Sequence, residues 1–433
     1  MPTLREELDT LKTLVTPEDG LQDLQRLADQ GHSPAEPPKV NGHIHLPPNF
    51  SAFDSVTQAV YLAAEQKLGM LGVSNYYDFT VYADFLSAVR QAGVFPLMGL
   101  EIICMLDDLR QAGVKINDPG NPGKMYICGK GITRLDPLSS RASELIGTIR
   151  RNDDARMTEM VDRLGRHFAS RGLDLRLDTE AVVSRVVARH GSPRQTVTLQ
   201  ERHIAQAFQE RFFEDVPAGD RIAKLSEVLG TESKATPDAA VTIQGEIRSH
   251  LMKADKPCFV EEAFVRFAEA KELILELGGI PCYPTLADGK TPICPFETPV
   301  DQLIGNLRER GIHCAEFIPV RNQPQVLNEY VTKMREAGIL VTAGTEHNTL
   351  DLIPLEPACA GGCNVPPECV EIFREGAYVT AAHQVLSLHG QTGYVDAAGE
   401  LNDAWDSQEE RIASLAALGA AAVAEYHGAT VKD

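Results

Sequence analysis

An α/β barrel interrupted by a large helical insertion is the fold class that three features of this 433-residue chain predict. Short runs rich in Val, Ile and Leu recur near 39–45, 70–74, 95–103, 279–283, 313–318 and 339–343. Most follow an amphipathic stretch ending in glycine: AAEQKLG before MLGVS, SAVRQAG before VFPLMGLE, AKELILELG before GIPCY, and KMREAG before ILVTAG. A helix closed by glycine and followed by a buried strand is the repeating unit of an α/β barrel or a doubly wound sheet. The third feature is the region from about 105 to 255. There ASELIGTIRRNDDARMTEMVDRLGRHFASRG, SPRQTVTLQERHIAQAFQERFF and AAVTIQGEIRSHLMKA place apolar residues three and four apart, the mark of helices.

Composition sets the outer limits. The chain is long for a single hydrophobic core, which suits one large domain with an insertion, or two domains. A hydrophobic fraction of 43% is ordinary for a globular protein. The formal net charge of −20, with no Lys/Arg-rich run, argues against a nucleic-acid binder and leaves a small molecule as the expected partner. A local cluster of basic side chains can still line one pocket for an anion. No apolar run spans a bilayer, and MPTLREELDTLKTL is a charged amphipathic helix rather than a signal peptide, so no membrane partner is expected. Nine cysteines, mostly in apolar contexts, suit a reducing compartment, and the expected location is cytoplasmic. Cys359, Cys363 and Cys369 lack paired zinc-ligand spacing and are expected to be structural.

Taken in order, residues 1–38 read as N-terminal helices and a proline-rich linker, GHSPAEPPK, entering the first strand. Residues 39–365 read as the barrel, interrupted by the insertion at 105–255, and residues 366–433 as C-terminal helices. The stretch NDPGNPGKMYICGKGI is a loop leading into a short strand. Its Lys130, between two glycines, is a candidate anion contact, with a solvated hairpin tip as the alternative.

Function is expected where the strands end, because side chains at the C-terminal ends of barrel strands face the active site. In NGHIH, His43 and His45 are two apart on a strand and point to the same side, so both imidazoles converge on one point. The next strands end in SNYYD, with Asn75, Tyr76 and Asp78, and in MGLE, with Glu101. Later strands end in CYP with Tyr283, AEFIPVRN with Glu316 and Arg321, and GTEHN with Glu346, His347 and Asn348.

This order of motifs resembles the PHP family, the polymerase and histidinol phosphatase superfamily, over roughly residues 39–103 and 278–350. The resemblance implies a distorted, TIM-like (β/α) barrel of the PHP type, using up to three metal ions against a phosphate ester. It implies that His43, His45, Glu101 and Glu346 hold a first metal. The other two sites depart from the family pattern: Asn75-Tyr76 stands where the family has Asp-His, Tyr283 precedes proline where it has histidine, Ser51 lies near another lost histidine, and Asn348 replaces a late one. His347, and less so His203 and His250, are candidates for rebuilding a second site.

Two imidazoles and two carboxylates suit zinc, manganese or iron(II), and one divalent ion is expected. The leading reading is a metal-dependent hydrolase of a small phosphorylated or acidic metabolite, with Arg321, Lys130, Asn75 and Asn348 as substrate contacts. Tyr76, Tyr283 and His347 are the candidate catalytic groups, since a phenol near a cation can have its pKa lowered and act as acid or base. The alternatives are a mononuclear lyase or isomerase acting on a sugar-like carbonyl compound with a tyrosine as proton shuttle, and a silent relative that binds a ligand without turnover.

Overall fold

A computed structural model describes residues 2–17 and 20–430. The chain forms two compact units, one of Met1–Leu46, Ser55–Ile146 and Val265–Asp433, the other of Pro47–Asp54 and Gly147–Phe264.

The first unit is a distorted barrel. Its strands are β1 (Lys39–Ile44), β2 (Leu68–Val73), β3 (Phe95–Met105), β4 (Lys124–Lys130), β5 (Val265–Arg266), β6 (Ile280–Thr285), β7 (Cys314–Phe317) and β8 (Leu340–Ala343). They run in the order β1-β2-β3-β4-β6-β7-β8, with the two-residue β5 beside the end of β3. All pairings are parallel except those of β4, which is antiparallel to both β3 and β6. The barrel closes through backbone: Thr345 N and Glu346 N donate to His43 O at 3.1 and 2.9 Å, and His45 N donates to Glu346 O at 2.8 Å.

Six strands stand where the apolar runs predict them. The region after Glu101 differs. β4 is ladder-bonded on both edges, so residues up to 146 belong with the barrel, and the helical unit begins at Gly147 rather than near 105. That unit also takes in Pro47–Asp54, an eight-residue segment too short to show any periodicity. Gly93, Gly278 and Gly338 close their helices with positive φ as expected, but Gly69 does not. Lys67 makes that turn with a φ of 57°, and Gly69 lies inside β2, where a Cβ would come 2.5 Å from Pro38 Cβ.

Pairing register decides what faces the interior. Gly99, Glu101 and Ile103 lie opposite Lys130, Cys128 and Tyr126 and share their face. Cys282 is opposite Cys128, and Cys314 opposite Cys282, so Glu316 projects on the same side two residues further along β7. The long helix Pro367–Leu388 covers the barrel, its Gln384 accepting from Met98 N at 2.8 Å and donating to Pro96 O at 3.0 Å.

The second unit is helical, built on Gly147 onward of the long helix Ser140–Ser170 and on Thr179–His190, Glu201–Asp215, Arg221–Leu229 and Ala240–Ile247. Phe168, Phe208, Phe212, Leu164, Ile204 and Ile243 form its core. Two buried polar pairings lie there: Gln244 Nε2 donates to Gln209 Oε1 at 2.8 Å, and Arg156 meets Glu201 and Glu262 at 2.8 and 3.5 Å. Phe50 N donates to Gln200 Oε1 at 2.7 Å, tying in the 47–54 segment.

Two glycine substitutions should behave oppositely. A Cβ on Gly344 would come 2.3 Å from His43 Cβ, so Gly344→Ala should lower stability by about 1–3 kcal/mol through overpacking. Gly245, inside the helix Ala240–Ile247, has open space, and Gly245→Ala should raise stability by about 0.5–1 kcal/mol. Urea midpoints of both variants check this.

Candidate active site

β1 delivers its two histidines to one point. Its pairing to β2 has a register irregularity between Asn41 and Ile44 that contains His43, and His45 follows directly after the strand. His43 Nε2 and His45 Nε2 are 3.3 Å apart. Glu101 Oε2 lies 3.0 Å from His45 Nε2 and 3.9 Å from His43 Nε2. All three residues are buried. Among the described residues Glu101 Oε2 has no aligned hydrogen-bond donor, a costly state for a buried carboxylate unless a cation shares the site. An N₂O donor set converging from three buried side chains therefore fits a divalent metal ion.

Supports stand behind each ligand. His43 Nδ1 meets Glu316 Oε2 at 2.7 Å, and the other Glu316 oxygen accepts from the Lys130 ammonium. The Tyr76 ring stacks on His45 with centroids 5.2 Å apart and planes 5° from parallel, and its hydroxyl bonds to Glu101. Asn75 staples the ends of β1 and β2, accepting from Leu46 N at 2.8 Å and donating to Leu46 O at 2.9 Å.

Glu346 is close enough for its charge to act on both histidines, and its carboxylate is bound elsewhere. Arg321 grips both oxygens, with Nη1 at 2.8 Å from Oε1, and Asn348 Nδ2 donates to Oε2 at 2.6 Å. Burial works against ionisation most strongly, but the Arg321 charge and hydrogen bonds together with the neighbouring His43 and His45 overcome it and hold the carboxyl well below the ordinary range. Glu346 and His347 both have left-handed backbone, with φ of 59° and 52°, a strained pair at the end of β8. The expected fourth ligand is thus present as an arginine-paired carboxylate outside the tight trio.

Other candidates fall in different places. Lys130 is buried, so its ammonium serves Glu316 and Gly42 O rather than an exposed hairpin tip. Both His347 ring nitrogens are engaged, Nδ1 with Thr345 Oγ1 at 2.7 Å and Nε2 with Ile353 O at 2.9 Å. Tyr283 follows Cys282 on β6 and so points to the opposite face from Cys282. Its hydroxyl donates to Glu297 Oε1 at 2.7 Å, and Glu297 also accepts from Leu286 N and Ala287 N at 3.0 and 2.6 Å. Burial foremost, then Glu101 for Tyr76 and Glu297 for Tyr283, pushes both phenols well above their ordinary range. His203 belongs to the helical unit, where burial lowers its pKa to about 3.

Sequence reasoning placed Glu316 at a strand end without giving it a role, and passed over Cys128. The missed signal is the alternation Cys128-Gly129-Lys130, which puts a thiol and an ammonium on one face of β4. Cys128 Sγ lies 3.8 Å from Glu316 Oε2.

No protein-family profile matches the chain, and no curated protein matches it in sequence. Solved structures do resemble it. A protein from Bifidobacterium adolescentis described as a metal-dependent phosphoesterase is 16% identical, with a TM-score of 0.50, covering 77% of this chain and 96% of its own. An amidohydrolase from Chromobacterium violaceum, whose structure holds sulfate and no metal, is 14% identical, with a TM-score of 0.51 and the same coverages. These likenesses establish the distorted barrel with helical additions. No helix among the described residues is long and apolar enough to cross a membrane.

The Glu297 cluster gives a pH test away from the ligands. Burial raises this carboxyl from 4.5 to about 7, against the opposing hydrogen bonds. Between those values the folded state holds a proton that the unfolded chain has released, so this contribution to stability is lost as pH rises from 4.5 to 7. At ~1.36 kcal/mol per pKa unit the loss is about 3 kcal/mol. Glu297→Gln should flatten that part of the stability profile, measured by urea unfolding at pH 4.5–7.5.

Proposed function

We propose that this chain is a metal-dependent hydrolase of the PHP type that cleaves a small phosphate ester with one divalent ion, zinc, manganese or iron. The observation that carries this reading is the buried convergence of His43 Nε2, His45 Nε2 and Glu101 Oε2 within 3.9 Å. The surrounding charges argue for one ion rather than three. Glu101, Glu316 and Glu346 are three buried carboxylates, and Lys130 and Arg321 are the two cations bound to them, leaving one net negative charge with both imidazoles neutral. One divalent ion turns that into one net positive charge, suited to an anionic substrate. Where the resemblance implies further metal ligands, this chain has Tyr76, Tyr283 and Asn348, each bonded to a carboxylate.

A divalent ion held there supplies Lewis acidity toward a phosphoryl oxygen and acidifies bound water to a pKa near 7. The chain's own groups do the remaining work. Glu316 and Tyr76 orient the ligands. Arg321, with 38% of its side chain exposed, keeps Glu346 ionised and presents guanidinium edge to an incoming anion. Asn348, half-buried on the same carboxylate, is placed to bind beside it. The phosphoesterase likeness supports this substrate class.

Phosphate release from a panel of small phosphate monoesters and diesters, after zinc, manganese or iron(II) loading, tests the proposal. Turnover should fall at least about 100-fold in His43→Ala/His45→Ala. Arg321→Lys keeps the charge but loses the paired donors, and should raise KM by roughly 10-fold, on the order of 1–2 kcal/mol for charge-assisted bonds. Hydrolysis that persists unchanged in the double histidine variant would remove the metal from the reaction.

A further inference from the structure

We propose that Glu316, held in turn by Lys130, is a positioning residue for the metal ligand His43. The inference rests on the metal-dependent reading above and extends it to the groups that aim the imidazole.

The arrangement is a closed chain of contacts across three strands. His43 turns Nε2 toward His45 and Glu101, and its other nitrogen lies 2.7 Å from Glu316 Oε2. The second Glu316 oxygen accepts from Lys130, and the same ammonium donates to Gly42 O at 3.1 Å, one residue before His43. β4 and β7 thereby grip both the backbone and the ring of one β1 segment. Side-chain exposures of 1%, 0% and 4% for His43, Glu316 and Lys130 keep water from competing for these bonds.

An ionised carboxylate only accepts hydrogen bonds, so the His43 proton resides on Nδ1 and the Nε2 lone pair faces the ligand position. A carboxylate behind an imidazole also raises its basicity as a ligand. Lys130 explains how a third carboxylate is tolerated near Glu101 and Glu346. Its ammonium is buried directly against Glu316 and supplies the opposite charge that a buried carboxylate needs. Lys130 holds one Glu316 oxygen, and the other lies 2.7 Å from His43 Nδ1 with the Cys128 thiol further off at 3.8 Å.

The test removes the pair as a unit. In Lys130→Met/Glu316→Leu both charges vanish together, an exchange that buried ion pairs often tolerate without loss of stability. Zinc affinity is read by competition with a chromophoric chelator, and the His43 tautomer by ¹⁵N NMR of the metal-free protein. The expected result is a folded protein binding zinc about 10–100-fold more weakly, with Nδ1–H no longer the dominant His43 tautomer. Wild-type affinity together with the wild-type tautomer would show that Glu316 is only the counterion of Lys130, and would overturn the proposal. If that variant does not fold, Lys130→Met/Glu316→Gln decides: it keeps an acceptor for Nδ1, so a retained tautomer with weakened zinc binding supports the proposal, and unchanged affinity overturns it. Wild-type protein that binds no zinc, manganese or iron would sink the metal-dependent reading instead, and the tautomer in the variants would still judge the positioning role.

Discussion

The structure depends on how its first strand meets its last. Three backbone hydrogen bonds from the 345–346 segment and His45 close the barrel, and the residues that make them are the same ones that build the site. His43 and His45 cannot take their places unless the segment after β8 bends back onto them. Gly344 permits the approach, and Glu346 and His347 absorb the bend in left-handed backbone. Fold closure and site assembly are one event, so strain at the site is held by the whole sheet rather than by a loop.

The second constraint is charge. Three carboxylates brought out of water would repel one another, and each must be neutralised or bonded. The barrel meets this with Lys130 from β4 and Arg321 from the turn after β7, each bound to one carboxylate. Glu101 alone keeps an oxygen without an aligned donor, and that oxygen faces two imidazole nitrogens. A cation is the partner that this remaining oxygen, in this company, is suited to accept. The antiparallel β4 is the departure from a regular barrel that makes the arrangement possible, since it carries both Lys130 and Cys128 into the interior.

Much of this was legible in the sequence, for physical reasons that also explain what was not. Parallel strands buried on both faces read as apolar runs, and helices ending at glycine punctuate them, so β1, β2, β3, β6, β7 and β8 were all visible. His-x-His and MGLE were legible because strand periodicity is local. The roles of Lys130 and Tyr283 were not, because each depends on a partner far along the chain, Glu316 for one and Glu297 for the other. Tyr283 illustrates the point: its neighbour Cys282 faces the interior, and a one-residue step in a strand reverses direction. The boundary of the helical unit was hidden because the short strand after the NDPGNPG loop cannot be assigned to the barrel until its two ladder partners are known.

The central claim, that one divalent ion is held by His43, His45 and Glu101, is most directly tested by elemental analysis of the full chain purified without chelator. The expected result is about one transition-metal ion per chain, reloadable after chelation and lost when His43 and His45 are both replaced by alanine. Two or three ions per chain would contradict the charge argument for a mononuclear site. A protein that neither holds nor reloads a metal would contradict the account as a whole.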